Sequence, residues 1–388
     1  MRTLGGIVEL ILNREVLAEA VAWSSRTISQ RPAVPVMAGV HIAATSAGVE
    51  FASYDYNVSA RVTVEPLELI TEGTVVVDGK LLSETARALP NKISEVSFKT
   101  EDNYLHITCG SFHQQLLVMP EEDYPQLPQL PQVVGQVDAE VFSHSISQVS
   151  IAASRDETLP LLTGISLEIR PEKLCVLATD RYRMALKEIP WQATNPQINQ
   201  DLVVKAKNIA DAAKNIASSG SISLAVDGED ESSALVGLSA GGRLFTSQVN
   251  DGNYPDVRRI FPEPINIVAV VKVSDFVAAA KRVAIVSANL SNQQITLSFT
   301  QGTLEFRAGS GGENTATDAI PVQLNGADIS VSFNSRMLIE GLSVVDEPYV
   351  RLSFKDETKP VIITGQKEET GDDSLDFQYL IMPIRTAI

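Results

Sequence analysis

Cysteine is scarce in this chain: two in 388 residues, Cys109 and Cys175. Both lie in apolar, strand-like runs (LHITCG and KLCVLATD) and read as buried thiols. So few cysteines exclude a disulfide framework and suit a reducing compartment. Histidine is nearly as rare. His41, His106, His113 and His144 are the only four, and none is spaced from another like a metal ligand. There is no Gly-x-Ser-x-Gly elbow, no Rossmann glycine pattern and no glycine loop followed by Lys-Ser/Thr. The acidic stretch Glu368 to Asp376 has no partner residues and reads as a solvated loop. Asp180, between Thr179 and Arg181, is a lone carboxylate. The expectation is a non-catalytic protein with no metal and no cofactor. No apolar run approaches the ~20 residues that span a bilayer; Ile267–Val271 stops at Lys272. The opening MRTLGGIVELILNRE has one Arg and is interrupted by Glu9, a poor signal peptide. A cytoplasmic location with no membrane partner is expected.

What is present is ordinary globular material: 44% apolar and 20% charged residues. At roughly 100–200 residues per domain, two to four domains are expected. The 31 basic and 48 acidic side chains give a net charge of −17. Such an excess of acid argues against nucleic acid unless the basic residues cluster.

A unit recurs three times. First helices begin at LNREVLAEAVAWSSRTIS, VDAEVFSHSISQVSIAAS and VKVSDFVAAAKRVAIVSA. Aligning Leu17, Phe142 and Phe276 spaces them 125 and 134 residues apart. Second helices begin at VVVDGKLLSETARAL, LVVKAKNIADAAKNI and VSFNSRMLIEGLSVV. There Lys80, Lys207 and Arg336 coincide, 127 and 129 apart. LLVMPEEDYPQLP and VNDGNYPDVRRIFP close the first two units, and YLIMPIR ends the third. Pro-rich joints at 125–131 and 255–264 suit linkers, because proline cannot extend a strand. The repeats are placed at 1–130, 131–263 and 264–388. Short β-branched runs such as LEFRAG, VIITG and LHITCG predict about eight strands per repeat beside two helices. The fold class is therefore α+β, with antiparallel sheets and two helices packed on one face. Such a repeat leaves sheet edges that must be paired. Neighbouring repeats pair them along the chain, and the first and last edges are left for another chain. That head-to-tail contact makes a ring where the rotation closes and a filament where it does not.

Six predicted helix segments, 13–31, 78–92, 138–155, 205–215, 272–282 and 334–346, hold 14 basic and 10 acidic side chains. The helices are thus mildly basic on an acidic body. Few phosphate contacts give weak, sequence-blind attraction, which suits movement along DNA.

At this point the chain resembles the bacterial DNA polymerase III β subunits, the replicative sliding clamps. RPAVPVMAGVHIAA at 31–44, LPLLTGISLEI at 159–169, ATDRYRMA at 178–185, YPDVRRIFP at 254–262 and YLIMPIR at 379–385 carry the resemblance. It implies three similar clamp domains per chain and a head-to-tail homodimeric ring, with helices lining the hole and sheets outside. It implies sequence-independent binding of double-stranded DNA, and recruitment of replicative polymerase, clamp loader and repair proteins through short motifs such as Gln-Leu-x-Leu-Phe.

By the same resemblance, a peptide groove falls on Leu162, Thr179, Arg181, Tyr182, Arg183, Met184, Pro255, Arg259, Ile260, Asn334, Met337, Leu380, Ile381, Met382, Pro383, Ile384 and Arg385. Leu, Ile and Met make an adaptable apolar surface, and Arg183, Arg259 and Arg385 are expected to fix polar groups at its rim. Arg181 departs from the family's commoner small residue. The stretch from Leu290 to Gln294 holds an extra residue, so no pocket residue is carried over there. DNA-facing cations are expected at Arg31, Lys80, Arg87, Lys205, Lys207, Lys214, Lys281 and Arg282. The subunit joint is expected at Ile285 and Val286, facing an edge near Leu116 to Val118. The alternative is a repeated scaffold that binds proteins without encircling DNA.

Overall fold

Asn13, Asp78 and Asn334 each end a strand and start a helix. Their side-chain oxygens accept first-turn N–H groups: Asn13 from Glu15 and Val16 at 2.8 and 3.3 Å, Asp78 from Leu81 at 2.8 Å, Asn334 from Met337 at 3.0 Å. Such caps satisfy donors that the helix itself leaves unpaired. This strand-to-helix step recurs six times in the computed structural model, which describes residues 7–28, 32, 34–227, 234–288, 293–309 and 314–384.

The first repeat runs β1 (Glu9–Asn13), α1 (Arg14–Ser24), β2 (Gly39–Thr45), β3 (Gly48–Tyr54), β4 (Val58–Val64). A short β5 (Glu68–Thr71) precedes β6 (Gly73–Asp78), α2 (Gly79–Ala88), β7 (Glu95–Glu101), β8 (Tyr104–Cys109) and β9 (Phe112–Met119). The second runs β10 (Gln132–Asp138), α3 (Ala139–Ser150), β11 (Gly164–Ile169), β12 (Leu174–Thr179), β13 (Arg183–Ile189). A two-residue β14 (Gln192–Ala193) precedes β15 (Gln200–Lys205), α4 (Ala206–Ile216), β16 (Ser221–Val226), β17 (Leu235–Ala240) and β18 (Arg243–Gln248). The third runs β19 (Ile267–Lys272), α5 (Val273–Ser287), β20 (Gln294–Thr300), β21 (Gly302–Ala308), β22 (Ala316–Asn325), β23 (Ile329–Asn334), α6 (Ser335–Leu342), β24 (Tyr349–Phe354), β25 (Val361–Gln366) and β26 (Asp373–Ile381). Each repeat is thus two βαβββ half-units, a finer period than the sequence pattern revealed. The aligned residues Leu17, Phe142 and Phe276 are all buried on the first helix of their repeat.

The strands form two antiparallel sheets of 14 and 12 strands. The described chain divides into two compact units, and each takes part of the central repeat. In the first unit, β18 pairs with β4 from Arg243↔Val62 to Ser247↔Val58. Around this joint Arg243 lies over the Trp23 ring, and Arg26 pairs with Asp211 at 3.1 Å. In the second unit, β13 pairs with β26 from Arg183↔Ile381 to Lys187↔Phe377. In both joints the last strand of a first half-unit meets the last strand of the next repeat's second half-unit.

All six predicted helices form, with narrower bounds for most. Within those bounds they carry 8 basic and 7 acidic residues, so most of the expected basic excess sits in the flanks, at Arg26, Lys92, Arg155, Lys205 and Lys272. No helix among the described residues is long and apolar enough to cross a membrane.

Candidate peptide-binding groove

The described candidate groove residues all lie in the second unit, many of them along the paired strands β12, β13 and β26. Strand alternation puts Cys175, Leu177 and Thr179 of β12 on a common face. Cross-strand pairing sets Met184 beside Thr179, Leu186 beside Leu177 and Leu380 beside Met184. Cys175, Leu177, Met184, Leu186 and Leu380 form one buried apolar cluster, against which Tyr254, Val257, Phe261, Ile362 and Met382 pack. This is the floor. Leu177, Leu186, Val257, Phe261 and Ile362 escaped the sequence reading, although the period-two spacing from Cys175 to Thr179 carried the signal for Leu177.

The turn between β12 and β13 forms one end. Asp180 Oδ1 accepts N–H groups from Tyr182 and Arg183, each at 3.0 Å. This Asx turn holds Arg181 at φ 78°, the left-handed region where glycine carries no Cβ penalty. Arg181 and Tyr182 are exposed, Tyr182 by 57%. The Tyr182 carbonyl accepts the Met382 N–H at 2.8 Å, and Ile384 N–H reaches the Ser332 carbonyl at 2.7 Å. These two bonds fix the segment after β26 to the β12–β13 turn and to β23. Ile381 is buried in β26, whereas Met382, Pro383 and Ile384 are half-buried. Arg385 lies outside the described residues, as does most of the 290–294 stretch.

The candidate wall is the segment from Tyr254 to Phe261, whose Tyr254, Val257 and Phe261 pack on the apolar cluster. Thr179 N–H donates to the Tyr254 hydroxyl at 2.9 Å, and burial raises that phenol's pKa. Pro255, Arg259 and Ile260 face outward, and Arg259 pairs with Asp256 at 2.6 Å. Leu162 is buried in the 3₁₀ turn Pro160–Thr163.

Arg183 is not at the rim. It is 6% exposed and reaches Asp180 at 2.9 Å and Glu340 at 2.6 Å. A guanidinium held between two carboxylates is neutralised where it is buried, which corrects its expected role as a free contact. Burial alone would raise the Glu340 pKa, but hydrogen bonds from Arg183 and Arg336 hold it below the usual value. The Tyr379 hydroxyl donates to the Met337 carbonyl at 2.9 Å, which ties β26 to α6. A Cβ on Gly341 would lie 2.2 Å from the Tyr379 ring, so only glycine admits this approach. Asn334 and Met337 thus lie at the start of α6, apart from the apolar cluster.

The remaining predicted residues lie elsewhere. Lys80, Arg87, Lys207, Lys214 and Lys281 are exposed and make no ion pair among the described residues. Lys205 pairs with Glu157 at 3.0 Å and Arg282 with Asp318 at 2.6 Å, so their charge is locally offset. Arg31 lies outside the described residues. Ile285 is 73% exposed and Val286 half-buried. In β9, Leu116 and Val118 point into the core, and Leu117 between them is 62% exposed.

Residues 8–128, 136–256 and 258–385 match the N-terminal, central and C-terminal domain models of the DNA polymerase III beta subunit. The beta sliding clamp of Streptomyces coelicolor is 41% identical over 97% of this chain and 99% of its own length. That of Micrococcus luteus is 39% identical, covering 82% of this chain and all of the relative. Among solved structures, the Bacillus subtilis DNA polymerase sliding clamp superposes with a TM-score of 0.89 at 23% identity, over 98% of this chain and all of that one.

Proposed function

Because the chain belongs to the DNA polymerase III beta subunit family, the beta sliding clamps, we propose that two copies close head to tail around duplex DNA. The ring tethers replicative polymerase by topology, performs no catalysis, and offers clamp loader and repair proteins one groove per chain. A cytoplasmic setting accords with that role.

One observation carries the ring. The chain makes the same strand joint twice, β4 with β18 and β13 with β26. Two strands of these same classes remain: β22, ending a first half-unit, and β9, ending a second. Among the described residues β22 pairs with β21 over 316–322 and with β19 only over 323–325. Likewise β9 pairs with β8 over 112–117 and with β6 only at Val118 and Met119. Among the described residues, 316–322 of β22 and 112–117 of β9 therefore each keep one side unpaired, and the two strands have complementary roles. Open edges of this kind seek a partner, and a heterologous pair closes a ring where the rotation allows it. Ile285 and Val286 would lie beside β22 at this joint, and the Leu116–Val118 stretch would lie on the facing edge. The domains follow the repeats at 1–130, 131–263 and 264–388. Lys80, Arg87, Lys207, Lys214 and Lys281 supply unpaired cations for weak phosphate contact.

Loading onto a nicked circular plasmid with a clamp loader and ATP tests this reading. Retained protein should be lost when the circle is linearised. Retention that ignores linearisation, or no retention at all, would leave only a protein-binding scaffold.

A further inference from the structure

We propose that Arg258 is a positioning residue for the groove: its bond to Glu168 and Cys175 fixes the wall against the floor. This rests on the groove reading above. Glu168, Cys175 and Glu188 form one row across β11, β12 and β13. Two carboxylates thus flank a buried thiol. Lys173 answers one of them, reaching Glu188 at 2.7 Å. Arg258 answers the other from the wall: its Nη2 lies 2.6 Å from Glu168 Oε2 and 3.3 Å from Cys175 Sγ.

The placement matters because of its neighbours. Val257 and Phe261, on either side, pack on the same cluster as Met184 and Met382. Tyr254 is tied to Thr179. Arg258 is the polar tether of the middle of the turn, and Arg259 and Ile260 are displayed from its outer side. A 3₁₀ turn of four residues has little rigidity of its own. Without the Arg258 tether the wall samples more positions, and a peptide must order it on binding, which lowers affinity. The Arg258 side chain is 42% exposed, so its loss acts on the wall more than on the global fold.

Fluorescence anisotropy with a labelled peptide ending in Gln-Leu-Ser-Leu-Phe tests the proposal in the full-length chain. Arg258→Gln and Glu168→Gln should each weaken binding by about tenfold, and the charge swap R258E/E168R should restore it to within about threefold. In a Cys109→Ser background, Cys175 should react faster with a thiol reagent in R258Q, and saturating peptide should protect it in the parent. Wild-type affinity in R258Q, or a swap as weak as the single variants, would overturn the tether. If the parent chain itself fails to bind peptide, the groove reading falls instead, and the Cys175 reaction rates still report whether Arg258 holds the wall.

Discussion

Ser59 Oγ and Thr246 Oγ1 lie 2.7 Å apart, in the cross-strand position that Met184 and Leu380 occupy in the other unit. The two joints share one backbone plan. Asp55 even builds the same Asx turn as Asp180, accepting from Asn57 and Val58 at 3.0 and 2.8 Å, and Tyr56 stands at φ 71° where Arg181 stands at 78°. The registers set Cys175, Leu177, Met184, Leu186 and Leu380 against Glu50, Ala52, Ser59, Arg61 and Thr246. One scaffold therefore presents an apolar floor and the other a polar one.

Installing the polar pair in the apolar joint should keep the strands paired and erase the groove. M184S/L380T is expected to lose peptide binding by more than about tenfold while strand content by circular dichroism persists. Each of these losses of buried apolar volume should destabilise the chain by about 2–5 kcal/mol. Unchanged peptide affinity would show that the floor is not the binding surface.

The pair of buried Arg183 and half-buried Glu340 makes a pH-dependent contribution to stability. The Glu340 carboxyl is held below its ordinary value, so its contribution is present in full above about pH 5 and is lost as pH falls through the lowered value. The melting difference between wild type and Glu340→Gln should be largest near neutrality and vanish in acid. Arg183→Met, which strands the Asp180 carboxylate while Glu340 keeps Arg336, should cost about 3 kcal/mol at neutral pH. A difference that grows on acidification would refute this assignment.

Truncation defines what the terminal segment does. Ile381 pairs with Arg183 and Val361 and is buried, so a cut that includes it damages the sheet. Removing residues 382–388 leaves β26 whole. That variant should melt within a few degrees of wild type, form the same dimer and bind no peptide, as titration would reveal. Retained affinity would place the ligand elsewhere.

Ile285 and Val286 are expected to hold the subunit joint. I285A/V286A should shift the species seen by sedimentation velocity toward monomer, with monomer stability little changed, because Ile285 buries little surface within its own chain. An unaltered dimer would move the interface away from α5.

The repeat was legible because buried helix positions recur: Leu17, Phe142 and Phe276 are equivalent in the folded chain. Lys80, Lys207 and Arg336 are all second in their helices. Pairing of edges between neighbouring repeats was legible too, but which strands meet, and the role of Arg183, were not. Glu340 lies 157 residues from Arg183, and no local pattern announces a partner so distant. Within the Leu116–Val118 stretch, composition alone does not tell which side chains face the core, and Leu116 and Val118 do. In alternating strands a slip of one residue exchanges inner and outer faces, and Leu117 is the member that points out. Arg258 was hidden beside Arg259, since two adjacent arginines look alike until one meets Glu168 and the other Asp256.

The joint between β13 and β26 also bears on how the protein is made. Its strands are separated by about 200 residues, so at roughly 5–20 residues per second the edge of β13 waits on the order of ten seconds or more during synthesis. Hairpins form in microseconds, so the neighbouring strands can fold long before that wait ends. A nascent chain therefore presents a finished sheet with one raw margin, and a slowed ribosome or a missing chaperone would be felt first as aggregation through β13.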